Sequence, residues 1–334
     1  MRKALLWSVG VVVVLAAAGY AAYEFTPWPR ALLIRYVFEA DAARVLAAQA
    51  KHVPPGVAER RDLAYADGGR DTLLDVFYPA TIEGTDTALP TIVWVHGGGW
   101  VSGSKDEVAN YLRILAGRGY TTVGLNYSLS PGAHYPTPPA QVNAALGYLV
   151  REAANLHIDP DRIVLAGDSA GAHIVAQVAN ILNVPSYAEA VGIEPEIGPE
   201  RLKGILLFCG PYDIDTADFE GSFSGFLTTV LWSYSGTRDF LNDPAFDTAS
   251  VAQYVTAEFP PVFISAGNGD PLLPQSIEMA KVLEAAGVPV DTLFFPDDRE
   301  PALPHEYQFN LDNEAGQLAL ERALAFLQRV VPPG

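Results

Sequence analysis

Ser169 has the surroundings that point most directly to chemistry. It sits in Gly167-Asp168-Ser169-Ala170-Gly171, after the apolar run Arg162–Ala166 and before the helical pattern Ala172–Asn180. A serine between a strand and a helix, with glycines two before and two after it, is a nucleophile elbow. The sharp reversal strains the serine backbone, and the glycines let neighbouring chain approach closely. The helix N-terminus favours negative charge developing beside the exposed hydroxyl. A hydroxyl is a weak nucleophile and needs a base, a group to orient the base, and donors for the oxyanion.

Donors are offered by His96-Gly97-Gly98-Gly99-Trp100, which follows the buried strand Thr91–Val95. Consecutive glycines can turn backbone N–H groups toward one point. Gly98, Gly99 and Ala170 are the expected oxyanion donors, with His96 orienting the loop. Of six histidines, His305 lies in a loop after the last strand, which can reach the strand C-termini of a doubly wound sheet. His173, on the elbow helix, is expected to pack. Asp270, after the strand ending at Ser265, is the candidate acid, with Asp297 and Asp298 as rivals. Asp168 should project away from the nucleophile. Trp100 and Tyr127 are candidate substrate contacts. No His/Asp/Glu cluster has metal-ligand spacing, so no metal is expected.

Strands and helices must carry these residues to one place. Asp62–Tyr65 and Thr72–Tyr78 read as antiparallel strands around Asp67-Gly68-Gly69. After them strands and helices alternate: Thr91–Val95, a helix over 106–118, Thr121–Tyr127, a helix over 140–154, then the elbow. Further strands follow at Lys203–Cys209, Pro261–Ser265 and Val288–Phe295, with helices over 275–286 and 313–330. Apolar central strands alternating with helices predict an α/β fold with parallel strands and helices on both faces. Residues 184–201 show little periodicity. Pro211–Phe259 is a long aromatic insertion, expected to be a cap. Its Phe219, Phe223, Phe226, Trp232 and Tyr234 are expected to line or cover an acyl pocket.

The chain resembles the α/β-hydrolase superfamily, and within it the hormone-sensitive-lipase-like carboxylesterases with a His-Gly-Gly-Gly loop. The resemblance rests on His96–Trp100, Gly167–Gly171, Asp270-Pro271-Leu272 and Asn126-Tyr127-Ser128-Leu129-Ser130-Pro131, and covers roughly residues 60–330. It implies an eight-stranded, mostly parallel sheet, no cofactor, and a cap shaping an acyl-ester pocket. The order Ser169, Asp270, His305 matches the order of this fold. Asn126 and Ser128 replace an acid and an arginine of the family pattern, and Glu306-Tyr307 after the histidine is also a departure. The expected activity is hydrolysis of short or medium acyl esters through an acyl-enzyme. An amidase or formamidase with the same triad, and a non-catalytic binding protein on this scaffold, are the alternatives.

The chain has 334 residues, 49% hydrophobic and 18% charged, with a formal net charge of −18. That acidity argues against nucleic acid and against peripheral binding to anionic lipid. Cys209 is the sole cysteine, so no intrachain disulfide forms; it reads as a buried small hydrophobe. Ala4–Tyr23 carries no charge and follows Arg2 and Lys3. About twenty helical residues cross a bilayer core, so residues 1–23 read as a membrane anchor with the rest extracytoplasmic. A secretory signal cleaved near Ala16-Ala17-Ala18 is the alternative. Residues 24–56 read as a helical linker or cap segment that lies along the membrane or packs on the catalytic domain, with Leu32, Leu33, Tyr36, Val37, Val45 and Leu46 as apolar positions. Pro54-Pro55-Gly56 marks the boundary of the catalytic domain, 57–334. The partners expected are a small-molecule ester and the bilayer; oligomeric state is left open.

Overall fold

The computed structural model describes residues 2–221 and 223–333; the side chains of residues 2–6 and 9 lie outside the described residues, and with them Arg2, Lys3, Leu5, Leu6 and Val9 of the N-terminal segment. Eight strands form one sheet in the order β1-β2-β4-β3-β5-β6-β7-β8. β1 (Val57–Ala64) and β2 (Leu73–Pro79) pair antiparallel, as their alternation predicts, and β2 is antiparallel to β4. β3 (Leu89–Val95), β4 (Thr121–Leu125), β5 (Ile158–Asp168), β6 (Leu202–Phe208), β7 (Val262–Ser265) and β8 (Val290–Leu293) run parallel to one another. The mostly parallel, eight-stranded sheet expected from sequence is therefore present.

Every residue of β3 is buried because both its faces are covered. Val93 and Val95 join the core layer containing Val142, Leu146 and Leu149 of α4 (Thr137–Arg151) and Ile174, Val175 and Val178 of α5 (Ala170–Asn183). Ile92 and Trp94 join the opposite layer, with Tyr111 and Leu112 of α3 (Ala109–Ala116) and Phe326 and Leu327 of α9 (Glu314–Val330). Side chains that alternate across a strand thus each find apolar cover, which is why these strands read as unbroken apolar runs. α8 (Leu273–Ala285) covers the β7 end of the sheet through Met279 and Leu283.

Two segments with no element assigned from sequence contain helices. Residues 184–201 contain a short helix, α6 (Pro185–Val191), started by Pro185 and stopped by Gly192 in the left-handed region at φ +74°. The insertion over 211–259 is held by one helix, α7 (Ser224–Ser235), and short 3₁₀ turns.

At the N-terminus, α1 (Arg2–Phe25) and α2 (Trp28–Gln49) are separated by Thr26-Pro27, with Pro29 in the first turn of α2. No single helix among the described residues is long and apolar enough to cross a membrane; Gly10–Phe25 and Trp28–His52 together pass by length and composition, bent by 80°. α2 is tied to the domain. Arg35 Nε donates to the Val101 carbonyl at 2.7 Å, Asn110 donates to the Leu46 carbonyl at 2.8 Å, and Gln49 donates to the Phe309 carbonyl at 3.0 Å.

Candidate active site

β5 lies between β3 and β6, at the centre of the sheet, and ends at Asp168. Ser169 then adopts φ +52° and ψ −122°, and α5 begins at Ala170. Few non-glycine residues hold such a backbone. Its N–H donates to the Phe208 carbonyl at 2.8 Å, which fixes the reversal to β6. A Cβ on Gly171 would collide with the Val95 and His96 carbonyls, so only glycine lets α5 start this close to β3.

Three chain segments far apart in sequence meet at the serine. Ser169 Oγ lies 2.9 Å from His305 Nε2, and His305 Nδ1 lies 2.9 Å from Asp270 Oδ2. The other Asp270 oxygen accepts from the Leu272 N–H at 2.7 Å. Asp270 is buried, whereas Asp297 and Asp298 are exposed. The His305 loop is fastened to the Asp270 loop by groups that sequence reasoning missed. The Leu303 N–H donates to Asn268 Oδ1 at 2.8 Å, the Gly269 N–H donates to the Leu303 carbonyl at 2.9 Å, and the Tyr307 hydroxyl meets Ser265 Oγ at 2.6 Å.

Burial disfavours the His305 imidazolium, while Cys209 and Asp270 favour it, and the balance holds His305 well above the ordinary imidazole range. Burial pushes the Cys209 thiol up to about 11. It is neutral at physiological pH, so the Asp270 carboxylate supplies the charge that sustains His305. Ligand atoms of Cys209, Asp270 and His305 do lie within 4.8 Å of one another. Both His305 nitrogens, however, are already engaged by Asp270 and Ser169.

Gly98 and Gly99 have φ of +103° and +60°. Among the described residues, neither N–H has a backbone acceptor, and Ala170, first in its helix, has no intrahelical one. The Gly97 N–H is used differently: it donates to Asp168 Oδ2 at 2.8 Å, while Asp168 Oδ1 accepts from the Trp94 indole at 2.7 Å. Asp168 therefore points under the glycine loop and holds it to the elbow. Burial, and next the Glu306 carboxylate, push Asp168 well above the ordinary carboxylate range. His96 also braces the loop, with Nδ1 2.8 Å from the Gly97 carbonyl; burial lowers it to about 4 and keeps it neutral. Tyr127 stacks on His96 at 4.4 Å, and its hydroxyl donates to the His96 carbonyl at 3.1 Å. Tyr127 thus stands behind the loop. Trp100 is buried against Tyr234 at 4.7 Å and borders a neighbouring cavity. His173 packs as expected, Nε2 lying 2.8 Å from the Ala249 carbonyl. The family departures find partners too: Asn126 Oδ1 accepts from the Lys105 N–H at 2.7 Å, and Ser128 Oγ donates to Asp71 at 2.9 Å.

Ser169 and His305 open into a cavity of about 320 Å³. From the insertion, Phe223 and Phe226 form its wall. Of the other aromatics expected there, Phe219 packs on Phe240 at 5.7 Å, and Trp232 and Tyr234 are buried within the insertion and against the domain. The rest of the wall includes Phe38, Asp41, Ala42 and Val45 of α2, with Glu107 and Glu306. Burial first, then Glu306, Glu39 and Asp106, push Glu107 up to about 7.

Comparison with known proteins places the chain among esterases. Residues 74–283 match the family model described as BD-FAE. The chain is 28% identical over 234 residues to esterase LipQ of Mycobacterium tuberculosis, covering 69% of this chain and 54% of LipQ. It therefore spans about half the length of that relative. To carboxylesterase NlhH of the same organism it is 31% identical over 281 residues, 82% of each. Among solved structures, esterase B of Lactobacillus rhamnosis superposes with a TM-score of 0.76 at 25% identity, over 90% of this chain and 93% of that one.

Proposed function

The chain belongs to the BD-FAE family of esterase-like α/β-hydrolases, and from that membership we propose that it is a serine carboxylic-ester hydrolase. The observation that carries the proposal is the unbroken line Asp270–His305–Ser169, with 2.9 Å at both links. Ser169 attacks the ester carbonyl while His305 takes its proton and then gives it to the leaving alkoxide. Asp270 stays ionised, fixes the imidazole tautomer and stabilises the imidazolium. The N–H groups of Gly98, Gly99 and Ala170 receive the oxyanion, each worth about 2–4 kcal/mol of barrier. The acyl-enzyme is released by water, activated by the same base. A cavity of about 320 Å³ is at the lower end for small-molecule clefts, which favours short or medium acyl groups.

The proposal extends to the N-terminus: α1 anchors the chain in a membrane, with the catalytic domain extracytoplasmic, or serves as a secretory signal. An uncharged run from Ala4 to Tyr23 supports this. A fluorophosphonate probe tests the chemistry. It should add one adduct, on Ser169, and an ester should turn over far faster than the matching anilide. Labelling elsewhere, or none, would overturn the serine assignment.

A further inference from the structure

α2 has two apolar faces, and only one is covered by protein. At 100° per residue, Ala31, Phe38, Ala42 and Val45 share one side. Ala31 is fully buried, Phe38 packs on Phe226 at 5.7 Å, and the latter three form cavity wall over Ser169. Leu32, Leu33, Tyr36 and Val37 occupy the opposite side, where Leu33 is 63% and Tyr36 74% exposed, while Trp28 lies between the two faces. This face is local. Farther along the same side the residues are Glu39, Ala43, Arg44 and Ala47, all exposed and either charged or small. The large apolar residues are thus confined to the turns of α2 nearest α1.

α1 continues the patch, with Tyr20, Tyr23 and Phe25 exposed just before the bend. Fourteen of the sixteen exposed large hydrophobic side chains among the described residues lie between Trp7 and Val37. Tyrosine and tryptophan concentrated at one level are typical of a membrane–water interface. The 80° bend supplies the geometry: if α1 runs along the bilayer normal, α2 lies almost in the membrane plane. A surface helix with one apolar face sinks that face into the headgroup–acyl boundary.

We infer that α2 is an interfacial helix whose outward face, Leu32, Leu33, Tyr36 and Val37, rests in the bilayer that α1 enters, so that the cavity on its other face takes esters partitioned into that membrane. The inference rests on the esterase and anchor proposals above. The cavity wall then stands about one helix diameter, ~10 Å, above the acyl boundary. With a net charge of −18, the contact depends on apolar burial and requires no anionic lipid. The substrate class is an amphipathic ester with a small acyl group on a lipid-soluble alcohol.

The full-length chain reconstituted in phosphatidylcholine vesicles tests this with three readouts. Hydrolysis of aqueous p-nitrophenyl acetate reports the esterase alone, flotation with the vesicles reports the anchor alone, and hydrolysis of hexadecyl acetate dissolved in the vesicles reports α2. The triple variant Leu33→Glu, Tyr36→Glu, Val37→Glu should float and keep the aqueous rate within about twofold, yet lose at least tenfold on hexadecyl acetate. Leu241→Glu and Leu318→Glu, at exposed apolar positions elsewhere, should change neither rate. If the triple variant loses the aqueous rate, Leu33→Glu and Val37→Glu are read singly by the same criterion. An unchanged hexadecyl acetate rate overturns the inference. So does a wild-type dimer in detergent that this face alone holds together, because the face then belongs to a second copy. Failure of the wild type to float overturns the anchor and the inference together, whereas failure on p-nitrophenyl acetate strikes the esterase proposal first.

Discussion

His305 sets the pH dependence proposed for the reaction. As a base it must be neutral, and its surroundings raise its pKa well above the ordinary value of 6.5. Activity should therefore fall as pH drops through a limb lying above 6.5. Asp270→Asn removes the charge that sustains the imidazolium and leaves burial to dominate, so the limb should move to lower pH, with kcat reduced about 10⁴-fold. Asp297→Asn and Asp298→Asn should stay within about tenfold, ~1.4 kcal/mol. A kcat/KM-versus-pH series on the four proteins checks this; a limb unmoved by Asp270→Asn contradicts it. Much of this constellation was legible in sequence, because elbow and glycine loop are local motifs. Asp168 turns from the nucleophile as read, but its route under the glycine loop depends on Trp94 and Gly97, far earlier in the chain. Asn268 and Tyr307 carry no local signal, since their partners lie on other loops.

Gly171 shows how elements, rather than single residues, position the serine. α5 can begin beside β3 because nothing stands between Gly171 and the Val95 carbonyl. Gly171→Ala should push α5 from β3, destabilise the fold by about 1–3 kcal/mol and lower kcat, because Ser169 and the glycine loop separate. Chemical unfolding and turnover measured together check it; a variant with wild-type stability contradicts the close-approach argument. The strands were legible because burial on both faces leaves continuous apolar runs. α6 was missed because Pro185–Val191 is too short to display a helical period. The apolar positions of α2 were read as one set, without Phe38 and without assignment to faces. Leu32, Leu33, Tyr36 and Val37 in fact face away from the domain, while Phe38 and Val45 face the cavity. An amphipathic pattern gives a stripe but not what covers it.

The whole molecule closes one cavity from both ends of the chain: α2, the glycine loop, the elbow, the insertion and the His305 loop all contribute walls. Such convergence concentrates carboxylates. Glu107 is raised from 4.5 to about 7, so the folded state binds its proton more tightly than the unfolded state does. Its contribution to stability is then full below pH 4.5 and declines as pH rises to about 7. Glu107→Gln should stabilise the protein by about 1–3 kcal/mol at alkaline pH and by little in acid; thermal unfolding in detergent at both extremes checks the sign. The proposal that Ser169 and His305 act as one unit is tested most directly by a double-mutant cycle in kcat. Ser169→Ala and His305→Ala should each cost about 10⁴–10⁶, and the double variant little more than either. Losses that multiply in the double variant, or a His305→Ala enzyme within about tenfold of wild type, would contradict the account.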